Sequence, residues 1–324
     1  MSLPPLTLNA WLRHDLVART LRDLPELHDV LEIGPGEGAF GTRLATRYAY
    51  VGLEPDPRSA SIARRRLARV GSGTLVQGDL SALPPEAYFD LLCAFEVIEH
   101  IEDDAAALVE WRDRLRPGGW VLLSTPAHPD RFAAGDRLAG HYRRYARRGL
   151  AALLRTVGFE EVVVWSYGFP LGYPLEWVRN AIARFREPRL GSMAERTAAS
   201  GRYLQPPESL DWMTEALSWP FRLAQRPFVD TDLGTGLVAR GRRSGAGDIL
   251  RSRGAGARPH ADTAGDDGDH VGPDEEQPLA HRRGDDVAPG DREADRQQKN
   301  GLAHSDSGGE RHRQEADEPG EREG

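Results

Sequence analysis

The chain has 324 residues, a formal net charge of −8, 39% hydrophobic residues and one cysteine, Cys93. A single cysteine excludes an intramolecular disulfide framework and a cysteine-built zinc centre, so no metal is expected and a reducing, cytoplasmic setting is. No run of 18 uncharged apolar residues occurs, and residues 1–9 lack a basic segment followed by an apolar one, so neither a membrane span nor export is expected.

The elements follow in chain order. An opening helix is predicted over 8–21. Short apolar runs at 29–33, 49–53, 74–77, 89–95, 120–124, 161–165 and 236–239 read as seven strands, with helices near 38–47, 57–69, 104–114 and 146–157. Pro57 suits a first helical position, Asp103 and Asp104 suit a helix start, and Gly158 suits a stop. This alternation predicts an α/β fold, a doubly wound parallel sheet covered by helices. It breaks over 167–233, where ten aromatic residues, Trp177, Trp212 and Trp219 among them, predict an ordered helical insertion or lid with its own core.

Beyond the last strand the composition changes. Residues 244–324 contain no Phe, Trp or Tyr and carry 20 acidic against 11 basic side chains. Such a segment cannot bury enough surface to offset its ordering entropy, so a body of 1–243 followed by a disordered acidic tail is expected. The tail accounts for the whole net charge. The near-neutral body lacks the basic footprint of a nucleic-acid binder, and nucleic acid is not expected as a partner.

The most informative stretch is Val30-Leu31-Glu32-Ile33-Gly34-Pro35-Gly36-Glu37-Gly38-Ala39-Phe40, a strand running into a glycine-rich turn that opens a helix. Residues without a Cβ let backbone N–H groups approach a bound ligand, and the helix N-terminus adds a positive field. Nicotinamide enzymes use a similar loop, so its company decides. Glu32 precedes the loop, Glu54 ends the second strand and Asp79 follows the third, which puts acids at three successive strand ends, the edge where open parallel sheets bind ligands. Glu54 suits a pair of ribose hydroxyls, Asp79 an adenine amino group, and Glu32 the loop itself and an ammonium. A nicotinamide-dependent oxidoreductase explains Glu54 but leaves Asp79 and Glu32 without a task.

Taken in order, Glu32-x-Gly34-x-Gly36-x-Gly38, Gly52-Leu53-Glu54, Gln77-Gly78-Asp79, Phe89-Asp90-Leu91-Leu92, Phe95-Glu96-Val97-Ile98-Glu99-His100-Ile101 and Leu115-Arg116-Pro117-Gly118-Gly119 resemble the motif series of class I S-adenosylmethionine-dependent methyltransferases of the small-molecule type. The resemblance implies a Rossmann-like seven-stranded sheet whose last strand is antiparallel. It also implies S-adenosylmethionine at the Gly34 loop, with its adenine near Asp79 and Leu80 and its methionine end beside Phe95 and Glu96. His100 is read as lining this pocket or as a catalyst, and Cys93 as a small core residue. A catalytically idle cofactor-binding scaffold is the rival from outside the enzymes.

Further along, Gly140-His141-Tyr142-Arg143-Arg144-Tyr145 resembles a Gly-His-x-Arg-Arg-Tyr signature of a bacterial subgroup of these methyltransferases. His141 is the expected general base for a hydroxyl acceptor, with His128 a second candidate. Tyr142, Arg143 and Arg144 are the expected acceptor-binding residues, the two arginines holding a carboxylate or phosphate; the alternative is that they cap a helix, pair with acids or pin the loop. The acceptor is expected to be a small molecule, a glycan or a lipid-linked compound. Leu175, Val178, Ile182 and Phe185, near Arg179, Arg184 and Arg186, offer a weak interfacial helix for contact with a membrane surface.

Overall fold

The computed structural model describes residues 3–186, 196, 197, 207 and 211–245, all within one compact unit spanning Met1–His260. The expected tail lies outside the described residues from 246 onward, as do 187–195, 198–206 and 208–210 of the expected insertion.

Helix α1 (Leu8–Asp23), capped by the Thr7 hydroxyl, leads into strand β1 (Asp29–Ile33). There follow α2 (Gly41–Ala45), β2 (Ala49–Glu54), α3 (Pro57–Val70), β3 (Thr74–Gln77), β4 (Phe89–Phe95), α4 (Asp104–Asp113) and β5 (Leu115–Pro126). The chain continues through α5 (Ala134–Ala139), α6 (Arg147–Thr156), β6 (Phe159–Tyr167), α7 (Gly172–Arg186), α8 (Asp211–Ala224) and β7 (Gly236–Arg243). The sheet order is β3-β2-β1-β4-β5-β7-β6, with β7 inserted antiparallel between β5 and β6. This is the expected Rossmann-like sheet.

Its strands are apolar on both sides because helices cover both faces. Along β4, Leu91 and Cys93 join the core that includes Leu12 and Leu16 of α1 and Leu67 of α3. Leu92 and Ala94 join the opposite core with Leu108 of α4 and Leu150 and Leu154 of α6. Cys93 is fully buried, as its reading as a core residue requires.

Strands β6 and β7 each run four residues longer than the sequence reading, and two further elements differ from it for identifiable reasons. Helix α2 begins three residues later than predicted, because the turn through Gly38 runs on to Phe40. Strand β5 starts five residues earlier. Its Pro117-Gly118-Gly119 stretch, which looks like a turn, is held in the sheet by Phe89↔Leu115 and Trp120↔Arg242 pairing around a register shift.

The aromatic segment does not form a core of its own among the described residues. Trp177, Phe185, Trp212 and Trp219 are exposed. Helix α8 instead docks on α1, where Trp11 Nε1 donates to Thr214 Oγ1 at 3.4 Å and Gln225 Nε2 donates to the Leu12 carbonyl at 3.0 Å. Helix α7 docks on α5, with Gly135 N–H donating to Asn180 Oδ1 at 2.9 Å.

Candidate active site

The order β2-β1-β4-β5 places the topological switch point between β1 and β4, and the turns leaving those strands converge there. After β1 the chain adopts left-handed φ at Gly34, Gly36 and Gly38, of +64°, +57° and +76°. Neighbours dictate two of these glycines: a Cβ at Gly34 would meet Val97 Cγ2 at 2.9 Å, and one at Gly38 would meet Ala63 Cβ at 2.9 Å. At Gly36 a Cβ would meet nothing within 4 Å, so there the backbone borders open space. Glu54 Oε2 accepts the Gly36 N–H at 2.8 Å while its Oε1 accepts the Asp56 N–H at 3.0 Å, which ties the end of β2 to the loop.

Glu32 points into the interior. Its Oε2 accepts the Tyr50 hydroxyl at 2.7 Å, and burial raises its pKa to about 7 despite that bond and the nearby Arg13. Asp79 is exposed and caps the short turn Leu80–Ala82, accepting from the N–H and hydroxyl of Ser81. Leu80, half-buried, packs against the α4–α6 face of the core.

At the tip of β4, Phe95 is buried against Phe40, ring centroids 4.5 Å apart, beneath the Arg13 guanidinium. Glu96 follows with φ +58°, a left-handed conformation that costs a non-glycine residue energy and clusters at functional sites. Its Oε1 receives Ser124 Oγ at 2.8 Å and the Tyr167 hydroxyl at 3.0 Å, and lies 3.3 Å from Arg13. Burial disfavours its charge, but Arg13 and the Ser124 bond outweigh burial and hold its pKa below the ordinary value. Glu99, on the turn Ile98–His100, is fully buried. Thr125 Oγ1 donates to its Oε2 at 3.0 Å, its Oε1 has no partner among the described residues, and burial together with Glu96 pushes its pKa well up.

His100 and His141 meet edge to face, centroids 4.6 Å apart, although 40 residues separate them. The Tyr142 N–H donating to the Glu99 carbonyl at 2.8 Å pins the two segments together. His141 Nδ1 lies 3.1 Å from Asp136 Oδ1, and His100 Nδ1 lies 3.2 Å from the Gly140 carbonyl. Both partners accept, which places a hydrogen on each Nδ1; the Thr197 hydroxyl also stands 3.3 Å from His100 Nδ1. Burial, then His141, lowers the His100 pKa to about 4, so its ring is neutral near pH 7.

Asp136 anchors this arrangement. It is fully buried, accepts Arg144 Nε at 2.9 Å and faces Arg179 at 3.3 Å; burial opposes its charge, yet His141 and the arginines hold its pKa far below the carboxylate range. Arg144 also meets Glu176 at 2.5 Å, and its side chain is 1% exposed. This corrects the expectation that Arg144 holds an acceptor's anion: its guanidinium is enclosed by two carboxylates and pins the loop. Arg143 pairs with Asp104 at 2.9 Å and donates to the Glu102 carbonyl, and Tyr142 is exposed. His128 Nε2 sits 2.9 Å from the Gly234 carbonyl, so the second candidate base is tied to backbone. A concavity of about 600 Å³ lined by Arg147, Arg148, Arg155 and Asp232 shares no residue with this site.

Sequence reasoning missed Arg13 and Asp136, which tertiary contacts bring in from α1 and α5, and read Tyr167 only as one of the aromatics of the insertion, not as a partner of Glu96. It placed Glu99 in the motif after the fourth strand without a role of its own. The signal available for Glu99 was its apolar setting, since an acid between Ile98 and Ile101 on a turn after a buried strand has little water to face.

Residues 9–164 match a family model described as a methyltransferase domain. A "Probable S-adenosylmethionine-dependent methyltransferase" of Mycolicibacterium smegmatis is 37% identical over 158 residues, 47% of this chain and 60% of that one. A "Ubiquinone biosynthesis O-methyltransferase" of Leptothrix cholodnii is 29% identical over 119 residues, 35% of this chain and 50% of that one. The chain thus spans between half and three-fifths of the length of these curated relatives. Among solved structures, a S-adenosylmethionine-dependent methyltransferase of Thermotoga maritima, described as a possible histamine N-methyltransferase, aligns with a TM-score of 0.46 at 21% identity over 73% of this chain and 90% of that one.

Proposed function

We propose that this chain, which carries a class I S-adenosylmethionine-dependent methyltransferase domain over residues 9–164, transfers a methyl group to a hydroxyl of a small-molecule, glycan or lipid-linked acceptor. The observation that carries the hydroxyl is the cluster of buried Glu99, half-buried His100 and buried His141 beside the β1–β4 switch point. A methyl group attached to sulfonium is already activated for in-line attack, so an amine free base needs no further help, whereas a hydroxyl gains from a group that draws off its proton. The relative named as an O-methyltransferase supports the same acceptor atom.

The cofactor's seat at the Gly34 loop is supported by the open space over Gly36 and by Glu54, an acid at the end of β2 that holds the Gly36 and Asp56 N–H groups beside that space. When bound, S-adenosylmethionine supplies the methyl group. The chain's own residues align and desolvate: the Gly36 backbone and Glu54 hold the ribose side, Asp79 and Leu80 the adenine, Glu32, Phe95 and Glu96 the methionine end. The carbon–oxygen bond forms as the sulfonium–carbon bond breaks, and the hydroxyl proton is drawn off at the Glu99–His100–His141 cluster. Tyr142, at 39% exposed, and Arg143, whose side chain is 35% exposed, follow His141 directly in the chain and serve acceptor binding. The proposed domain spans 1–243, with 167–233 as its insertion and a cytoplasmic setting.

A labelled-methyl assay against fractionated cell extract tests this. Label is expected in an acid- and base-stable ether with the wild-type chain and none with Gly36→Arg, which forces a long side chain into the open space at a left-handed position. Normal transfer by Gly36→Arg would remove the cofactor assignment.

A further inference from the structure

We propose that Glu99, His100 and His141 form a binding site for a divalent transition-metal cation of the zinc, cobalt or manganese class. One ligand atom from each of the three lies within 4.8 Å of the others. Ligands about 2.1 Å from a shared ion stand at most about 4.2 Å apart, so closure requires only a small side-chain adjustment.

The surroundings of the three residues argue for an ion more strongly than their proximity does. A histidine that ligates through one nitrogen is usually fixed by a hydrogen bond from the other to a carboxylate or backbone carbonyl. Both arrangements are present: His141 Nδ1 to Asp136 and His100 Nδ1 to the Gly140 carbonyl, which leaves the two Nε2 atoms as the ligating positions. Thr125 likewise holds Glu99 Oε2 and leaves Oε1 buried with no partner among the described residues. A buried carboxylate oxygen without a donor is costly in a native fold unless something positive meets it. Two imidazoles and one carboxylate suit a borderline cation better than magnesium or calcium, which favour oxygen, and three protein ligands leave a position for an oxygen of the acceptor.

This deepens the hydroxyl reading and departs from the sequence expectation of no metal. With the ion in place, His141 serves as a ligand, the acceptor hydroxyl coordinates through oxygen, and its proton passes to water as the methyl group is transferred. The orientation of the ring by Asp136 then matters through the ion.

The test adds Co²⁺ to the full-length chain after chelator treatment and follows the visible absorption of the bound ion, for wild type and for Glu99→Gln, His141→Gln and the double variant. Five histidines beyond residue 245 are common to all four proteins, so the site is read as the difference between them. One ion per chain is expected to be bound by wild type and lost in the double variant, and Asp136→Asn is expected to weaken it about tenfold or more. Cofactor binding by calorimetry, expected to persist in the Gln variants, shows that they are folded. Equal Co²⁺ spectra and affinities in wild type and double variant, or no bound ion in wild type, would overturn the site. A chain that binds the ion and loses it in the variants, but methylates no hydroxyl, leaves the site standing and removes the hydroxyl reading.

Discussion

Glu32 carries a cost that its neighbours only partly relieve. Burial raises its pKa from the ordinary 4.5 to about 7, so the folded state holds a proton there that the unfolded chain has released. The sign follows from linkage: between about pH 4.5 and pH 7 the native state binds more protons at this site, and stability falls as pH rises through that window. Glu32→Gln is expected to remove this slope, a contribution of at most about 3 kcal/mol, and chemical denaturation at pH 5 and pH 8 measures it. An unchanged pH dependence in the variant would place the titration elsewhere. Asp136 behaves in the opposite sense, as an ionised carboxylate enclosed by cations. Asp136→Asn leaves Arg144, Arg179 and His141 without the carboxylate charge they share and is expected to cost roughly 3 kcal/mol or more in the same denaturation experiment.

Among elements, α1 does more than cover the sheet. It delivers Arg13 to Glu96 from one side while α8 braces it from the other through Trp11–Thr214 and Gln225–Leu12. Arg13→Met keeps the aliphatic stem that packs on Phe95 and removes the charge that keeps Glu96 ionised. We expect methyl transfer to fall about tenfold or more with little change in fold, read as kcat/KM against far-ultraviolet circular dichroism. A variant with full activity would show that the Arg13–Glu96 pair is only structural. Helices α5 and α7 play a comparable part for the other half of the site, since Asp136 and Asn180 join them and Asp136 orients His141.

For the whole molecule, the outward faces of α7 and α8 set up a further expectation. Trp177 is 73% exposed, Phe185 88% and Trp212 71%, and no helix among the described residues is long and apolar enough to cross a membrane. Exposed aromatics beside Arg179 and Arg184 are the elements of an interfacial contact, which a lipid-linked acceptor would need. The full-length chain is expected to float with anionic vesicles and to stay down with Trp177→Ser/Phe185→Ser; no flotation of the wild type would restrict the acceptor to soluble compounds. Removal of residues 246–324 is expected to leave methyl transfer within about twofold, because so polar a segment has little to contribute to a packed site. A larger loss would assign the tail a role.

The seven strands, the covering helices and the glycine turn were readable from the sequence because each is encoded locally, in apolar periodicity and in residues that alone tolerate a backbone angle. Gly34, Gly36 and Gly38 reveal a turn wherever they occur, and an apolar run such as Phe89–Phe95 needs burial whatever lies beside it. The company of the buried polar groups was not readable in that way. Arg144 and Arg143 look alike in the chain, yet one is sealed between Asp136 and Glu176 and the other pairs near the surface, because burial and ion pairing depend on which distant segments pack together. His100, His141 and Glu99 converge only because the sheet order brings the turn after β4 to the loop after α5, a juxtaposition that no local pattern specifies.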